Sequence, residues 1–77
     1  MRKPASVKRY VLCVRNDDYL ASLLVRRLYE QVPDRTAAAR GLIRVVDESG
    51  EDYLYPEKLF MPIALPAPVT RAIRAAA

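Results

Sequence analysis

Asp18-Tyr19-Leu20-Ala21-Ser22-Leu23-Leu24-Val25-Arg26-Arg27-Leu28-Tyr29-Glu30-Gln31-Val32 reads in two ways, and the fold turns on the choice. Leu20, Leu23, Leu24, Leu28 and Gln31 fall at helical spacing. Asp17 or Asp18 stands where an N-cap would, and Pro33 stops the run, so pattern alone predicts an amphipathic helix over 18–32. The same residues also divide into an irregular loop through Leu23 and a strand over about 27–32. There Leu28, Glu30 and Val32 alternate with Tyr29 and Gln31. Periodicity cannot separate these readings in so short a run; non-local pairing must decide.

The flanking residues are easier. Tyr10 to Arg15 is short and rich in β-formers, and Asn16-Asp17-Asp18 ends it as a turn. Asp34 followed by Arg35-Thr36-Ala37-Ala38-Ala39-Arg40 and Gly41 predicts a short helical insertion near 34–40, capped by Asp34 and ended by Gly41. Leu42–Val46 and Asp52–Tyr55 predict a hairpin whose reversal needs the positive φ that Ser49-Gly50 supplies. Pro56 can open a helical turn near 56–60, and Met61 to Leu65, limited by Pro62 and Pro66, suits an edge strand. Residues 1–8 read as a flexible basic lead-in, 9–65 as the folded unit, and 66–77 as a Pro/Ala/Arg tail that is a weak helix or disordered.

The 77 residues have room for one domain with a thin core, and no apolar run nears the roughly 20 residues of a membrane span. The chain has no histidine, no tryptophan and a single cysteine, Cys13. A zinc site lacks its ligands and a Ser-His or Cys-His nucleophile lacks its base, so no metal, cofactor or catalytic set is expected. Cys13, inside Val11-Leu12-Cys13-Val14, is expected as a packed small hydrophobe. The apolar run after Met1-Arg2-Lys3 is too short for a signal peptide, and cytoplasmic residence is the expectation.

The net charge of +4 is unevenly spread. From Asp17 to Lys58 nine acids stand against six bases, a net of −3, while Arg2, Lys3, Lys8, Arg9, Arg15, Arg71 and Arg74 lie outside. The middle is acidic and the ends are basic. Basic ends can graze a phosphate backbone or only aid solubility.

Leu54-Tyr55-Pro56-Glu57-Lys58-Leu59-Phe60 resembles the end of an SH3 domain, where an apolar residue and proline lead into a 3-10 turn and the last strand. Cys13, Asn16, Tyr19, Ser22 and Leu23, with Asp47-x-Ser49-Gly50-Glu51-Asp52-Tyr53-Leu54-Tyr55-Pro56, are also similar to a pattern in a group of small uncharacterised bacterial and phage proteins. The resemblance implies a mainly β protein: a five-stranded SH3-like barrel in which 18–32 is loop plus strand. The alternative is an α+β fold with a helix there. Closure favours the barrel, because a lone hairpin beside one helix leaves unpaired edges and little core. By the same analogy Tyr55 and Phe60 belong in the core. SH3 peptide grooves use a tryptophan, absent here, and Leu59 stands where the 3-10 turn would offer a groove tyrosine, so proline-rich recognition is not expected.

Asp47, Glu48, Glu51, Asp52 and Glu57 crowd the hairpin without the spacing of a calcium loop, and read as a solvated turn. The expected function is a non-catalytic module that binds a protein partner or a second copy of itself. Its candidate binding residues are Tyr19, Asp47, Glu51, Asp52 and Leu59, facing a basic partner patch. The alternative is a nucleic-acid-binding barrel using the basic ends and a stripe of Arg26, Arg27 and Arg44.

Overall fold

A computed structural model describes residues 9–76; the lead-in expected over 1–8 lies outside the described residues. Five strands form one antiparallel sheet: β1 (Arg9–Cys13), β2 (Leu28–Val32), β3 (Leu42–Val46), β4 (Asp52–Pro56) and β5 (Phe60–Ile63). Helix α1 (Arg35–Ala38) lies between β2 and β3, a 3-10 turn η1 (Glu57–Leu59) joins β4 to β5, and α2 (Ala67–Ala76) follows the sheet.

The strands lie in the order β4-β3-β2-β1-β5. β1 pairs β2 with Val11 opposite Tyr29, and pairs β5 with Cys13 opposite Phe60. β3 pairs β4 with Ile43 opposite Tyr55. The expected closed barrel is not seen: β4 and β5 are the two outer strands, and the sheet stays open. The chain passes between them through η1 rather than a hairpin, and Pro56 and Pro62 have no N–H to give a closing ladder.

No continuous helix forms over 18–32. The β1–β2 pairing continues beyond the regular strands, with the Arg26 amide donating to the Cys13 carbonyl at 2.7 Å and the Cys13 amide to the Arg27 carbonyl at 2.9 Å. A helix through Arg27 would break these bonds and strip β1 of one partner. One helical turn does survive, where the Leu23 amide donates to the Tyr19 carbonyl at 3.0 Å. It buries Leu23 and leaves Leu20 and Leu24 outside, which is the source of the helical spacing in the sequence.

The insertion and the hairpin form as expected. Asp34 accepts the Ala37 amide at 2.9 Å to cap α1, and Ala37 is buried; the C-cap is Ala39, and Gly41, expected to end the helix, instead turns the chain into β3 at φ 73°. Gly50 turns the hairpin at φ 87°. The tail that reads as weak helix or disordered is helical from Ala67 to Ala76. Pro66 accepts the Val69 and Thr70 amides at its start, and no residue of α2 is buried.

One sheet face carries the core. Val11, Cys13, Tyr29, Ile43, Val45, Tyr55 and Phe60 line it, with Leu23 from the long loop and Leu59 from η1 as plugs. The aromatic members meet edge to face, Tyr29 to Phe60 at 6.4 Å and Tyr55 to Phe60 at 6.3 Å between ring centroids. Tyr10 is buried on the opposite face, where Thr70 and Ile73 of α2 border clefts shared with Tyr10, Ile63, Leu28 and Val46.

Candidate functional site

The β1–β2 loop folds back over the core and is stapled to the β3–β4 hairpin. Asn16 starts this: its carbonyl accepts the Tyr19 amide at 2.9 Å and its side-chain Nδ2 donates to the Leu23 carbonyl at 3.0 Å. The Ser22 carbonyl then accepts the Glu48 amide at 3.1 Å. A parallel link runs through Tyr29, whose hydroxyl accepts the Leu24 amide at 2.8 Å and donates to Glu48 Oε2, which also receives Arg27 Nε at 2.9 Å.

At the centre lies Asp47, 7% exposed and the one buried acid among the described residues. The five hairpin acids read as a solvated turn, and four of them are exposed; Asp47 is the correction. Its Oδ1 accepts the Ser49 amide at 2.8 Å and the Ser49 hydroxyl at 2.6 Å, while Oδ2 accepts the Tyr55 hydroxyl. Burial pushes the carboxyl pKa up, but the bonds from the Ser49 hydroxyl, Tyr55 and the Ser49 amide outweigh it and hold Asp47 below its ordinary value. Tyr55 moves the other way. Burial first, then the bond to Asp47, push its phenol up to about 12, with the Ser22 hydroxyl opposing. Burial and Glu48 push Tyr29 up to about 12 as well. Both oxygens of Asp47 are committed, so its part is to lock the turn and the Tyr55 ring.

That lock shapes a groove along β4, lined by Tyr19, Ser22, Asp47, Ser49, Tyr53, Leu54 and Tyr55. Tyr19 stands edge-on against Tyr55 with ring centroids 4.9 Å apart. Tyr53 is 49% exposed, and its hydroxyl donates to Glu51 Oε1 at 2.9 Å. That bond to Glu51 raises its phenol pKa. The groove therefore offers an accessible aromatic face with a carboxylate fixed beside it. Leu54 is exposed in the same wall.

Of the binding residues expected from the sequence, Tyr19 and Asp47 meet in this groove. Glu51 joins it through Tyr53, and Asp52 lies on the hairpin arm, 4.0 Å from Arg44 Nη1. Leu59 is a correction: at 2% exposure it is part of the core, below a neighbouring cleft bordered by Arg15, Tyr19 and Lys58. Its carbonyl accepts the Val14 and Arg15 amides at 2.9 and 3.3 Å, which fixes the side chain inward. Sequence reasoning misses Ser22, Ser49, Tyr53 and Leu54 as groove residues. A signal for Tyr53 and Leu54 does exist, since β4 begins at the hairpin and a residue near the turn outlies a thin core.

Arg26, Arg27 and Arg44 do not form a stripe. Arg27 pairs with Glu48 beside the hairpin turn, and Arg44 Nε pairs with Asp34 Oδ2 at 2.9 Å. Val32 is the residue opposite Arg44, so Arg27 lies five positions away along the chain, about 16 Å of extended backbone. Among the described residues no group of acidic, cysteine or histidine side chains could hold a metal ion, and no helix is long and apolar enough to cross a membrane. No protein-family model matches the chain, and no significant match exists among curated proteins or solved structures.

Proposed function

We propose that this chain is a non-catalytic binding module on an SH3-like scaffold, and that its groove takes an extended basic segment of a protein partner. The scaffold reading is supported by the strand order, the long β1–β2 loop and the 3-10 turn before the last strand, although the sheet is open. The binding reading is carried by one observation: Tyr53 is half exposed, beside Leu54, with its hydroxyl fixed to Glu51 at 2.9 Å. A partner guanidinium or ammonium stacked on the Tyr53 ring would meet the Glu51 carboxylate at the same time. The exposed Asp52 adds to the negative field of the rim, which favours a cationic segment.

The test is a titration of the 15N-labelled protein with a tetra-arginine peptide at about 50 mM salt, where surface charges are weakly screened. Amide shifts clustered at Tyr19, Ser49, Tyr53 and Leu54, and lost in Tyr53→Ala, are expected. A flat titration to about 1 mM peptide, the weak limit of specific recognition, would refute the reading. Tighter binding of a single-stranded oligonucleotide than of the peptide would also refute it, in favour of nucleic acid.

A further inference from the structure

The other side of the long loop carries a feature that the groove does not use. The helical turn at Tyr19–Leu23 drives Leu23 into the core and leaves Leu20 73% exposed, with Leu24 and Val25 exposed after it. This apolar crest is bracketed by Asp18 and Arg26. They are the two non-glycine residues with positive φ among the described residues, at 71° and 69°. Glycine favours the left-handed region and aspartate tolerates it, so backbone preference accounts for Asp18 but not for Arg26.

The charges around the crest sort into two kinds. Arg15 pairs with Asp17 and Arg27 with Glu48, each within the molecule. No ion pair holds Asp18 or Arg26 among the described residues, and both are exposed. The crest thus presents three apolar side chains between one negative and one positive charge that no ion pair holds among the described residues.

We infer that this crest is a self-complementary contact joining two copies of the chain about a two-fold axis. Leu20, Leu24 and Val25 of each copy pack together, and Asp18 of each meets Arg26 of the other. A two-fold contact requires that a residue and its mate exchange roles between copies, and a segment that begins with an exposed acid, Asp18, and ends with an exposed base, Arg26, offers such an exchange. An anionic lipid surface is a poorer occupant, because the exposed carboxylate of Asp18 would be set against it. The patch is much smaller than the roughly 800 Å² per partner of a stable interface, so the dimer is weak and in rapid exchange. The inference is independent of the groove and of what the groove binds.

Sedimentation equilibrium of the full chain, from about 20 μM to 1 mM at low salt, spans the range where such a contact dissociates. A monomer–dimer equilibrium is expected, with concentration-dependent amide shifts confined to residues 18–26. Asp18→Arg and Arg26→Asp should each weaken dimerisation at least about tenfold, since each sets like charges together. The double exchange, Asp18→Arg with Arg26→Asp, should restore it. Arg26→Gly relieves the left-handed backbone and should leave the fold intact by circular dichroism while still weakening the dimer. A monomer at 1 mM, wild-type association in folded Arg26→Gly, or no recovery in a folded double exchange would each overturn the inference.

Discussion

Asp47→Ala should cost this protein a large share of its stability, because the buried carboxylate is what holds the long loop, the hairpin turn and β4 in one arrangement. The substitution removes the acceptor of three donors: the Tyr55 hydroxyl, the Ser49 amide and the Ser49 hydroxyl. The Ser49 donors sit on an exposed turn and can turn to water, so their loss costs little. Tyr55 is buried, and losing a charged acceptor there costs about 1.5–3 kcal/mol. Adding the turn gives a total of about 2–4 kcal/mol. A 77-residue domain has about 4–12 kcal/mol in all at typical stability per residue, so the change is about a sixth of the whole at the least and more than a third at mid-range. Urea unfolding followed by far-UV circular dichroism and tyrosine emission measures it. Tyr55→Phe should cost about 1–3 kcal/mol, because it leaves one oxygen of Asp47 without a donor. The double variant should fall short of the sum by about 1–2 kcal/mol, the signature of a direct contact. The sign of the pH dependence follows from the depressed pKa of Asp47. Its contribution is present in full above the unfolded aspartate value of about 4 and is lost as pH falls through the lower folded value. Wild type should therefore weaken below about pH 4 by more than Asp47→Ala does. Stability of Asp47→Ala within about 0.5 kcal/mol of wild type, the range of ordinary surface changes, would refute this reasoning.

Two further outcomes follow from the packing and the phenols. Leu23→Ala should cost about 2–5 kcal/mol by chemical denaturation, as for other fully buried leucines, whereas Leu20→Ala on the same loop should change stability by under about 0.5 kcal/mol. Tyr29 and Tyr55 each have a phenol pushed up to about 12, so the stability they contribute is complete below the unfolded value of about 10 and is lost as pH rises towards 12. The loss should be about 1–2 kcal/mol per tyrosine after discount for water at the rim, and Tyr29→Phe or Tyr55→Phe should each flatten the alkaline limb of the denaturation profile.

Local signals carry much of this fold. The apolar alternation of β3, the Ser49-Gly50 reversal, the Asp34 cap and the proline entering η1 depend on neighbours in sequence, and each is where the residues place it. The segment over 18–32 depends on residues far away. Its helical spacing comes from one turn that sends Leu23 inward, and only the demand of Cys13 for backbone partners at Arg26 and Arg27 pulls the rest into extended chain. The need to pair edges argues for a closed barrel, yet β4 and β5 remain outer strands.

The candidate site is legible in part for the same reason. Tyr19 and Asp47 are visible as an aromatic in a loop and an acid in a turn. That Asp47 is buried follows from the Tyr55 hydroxyl eight residues on, and no local pattern announces it. The two motifs quoted from the sequence meet in space: Asn16, Tyr19, Ser22 and Leu23 shape the loop, while Asp47, Ser49 and Tyr55 receive it. Leu59 departs from its expected place because the 3-10 turn points it into the core rather than out to a groove. Tyr53 and Tyr55 share a strand face by alternation, yet only Tyr55 reaches the centre of so small a core.

The most direct measurement is a set of nuclear Overhauser contacts and Cα chemical shifts over residues 13–31 of the labelled protein. Contacts between the Tyr19 and Tyr55 rings, whose centroids lie 4.9 Å apart, should appear together with cross-strand contacts from Cys13 to Arg26 and Arg27. Helical shifts should be confined to the single turn at Tyr19–Leu23. An unbroken run of helical shifts from Asp18 to Gln31, with no contact between the two rings, would contradict the stapled loop and the groove it builds.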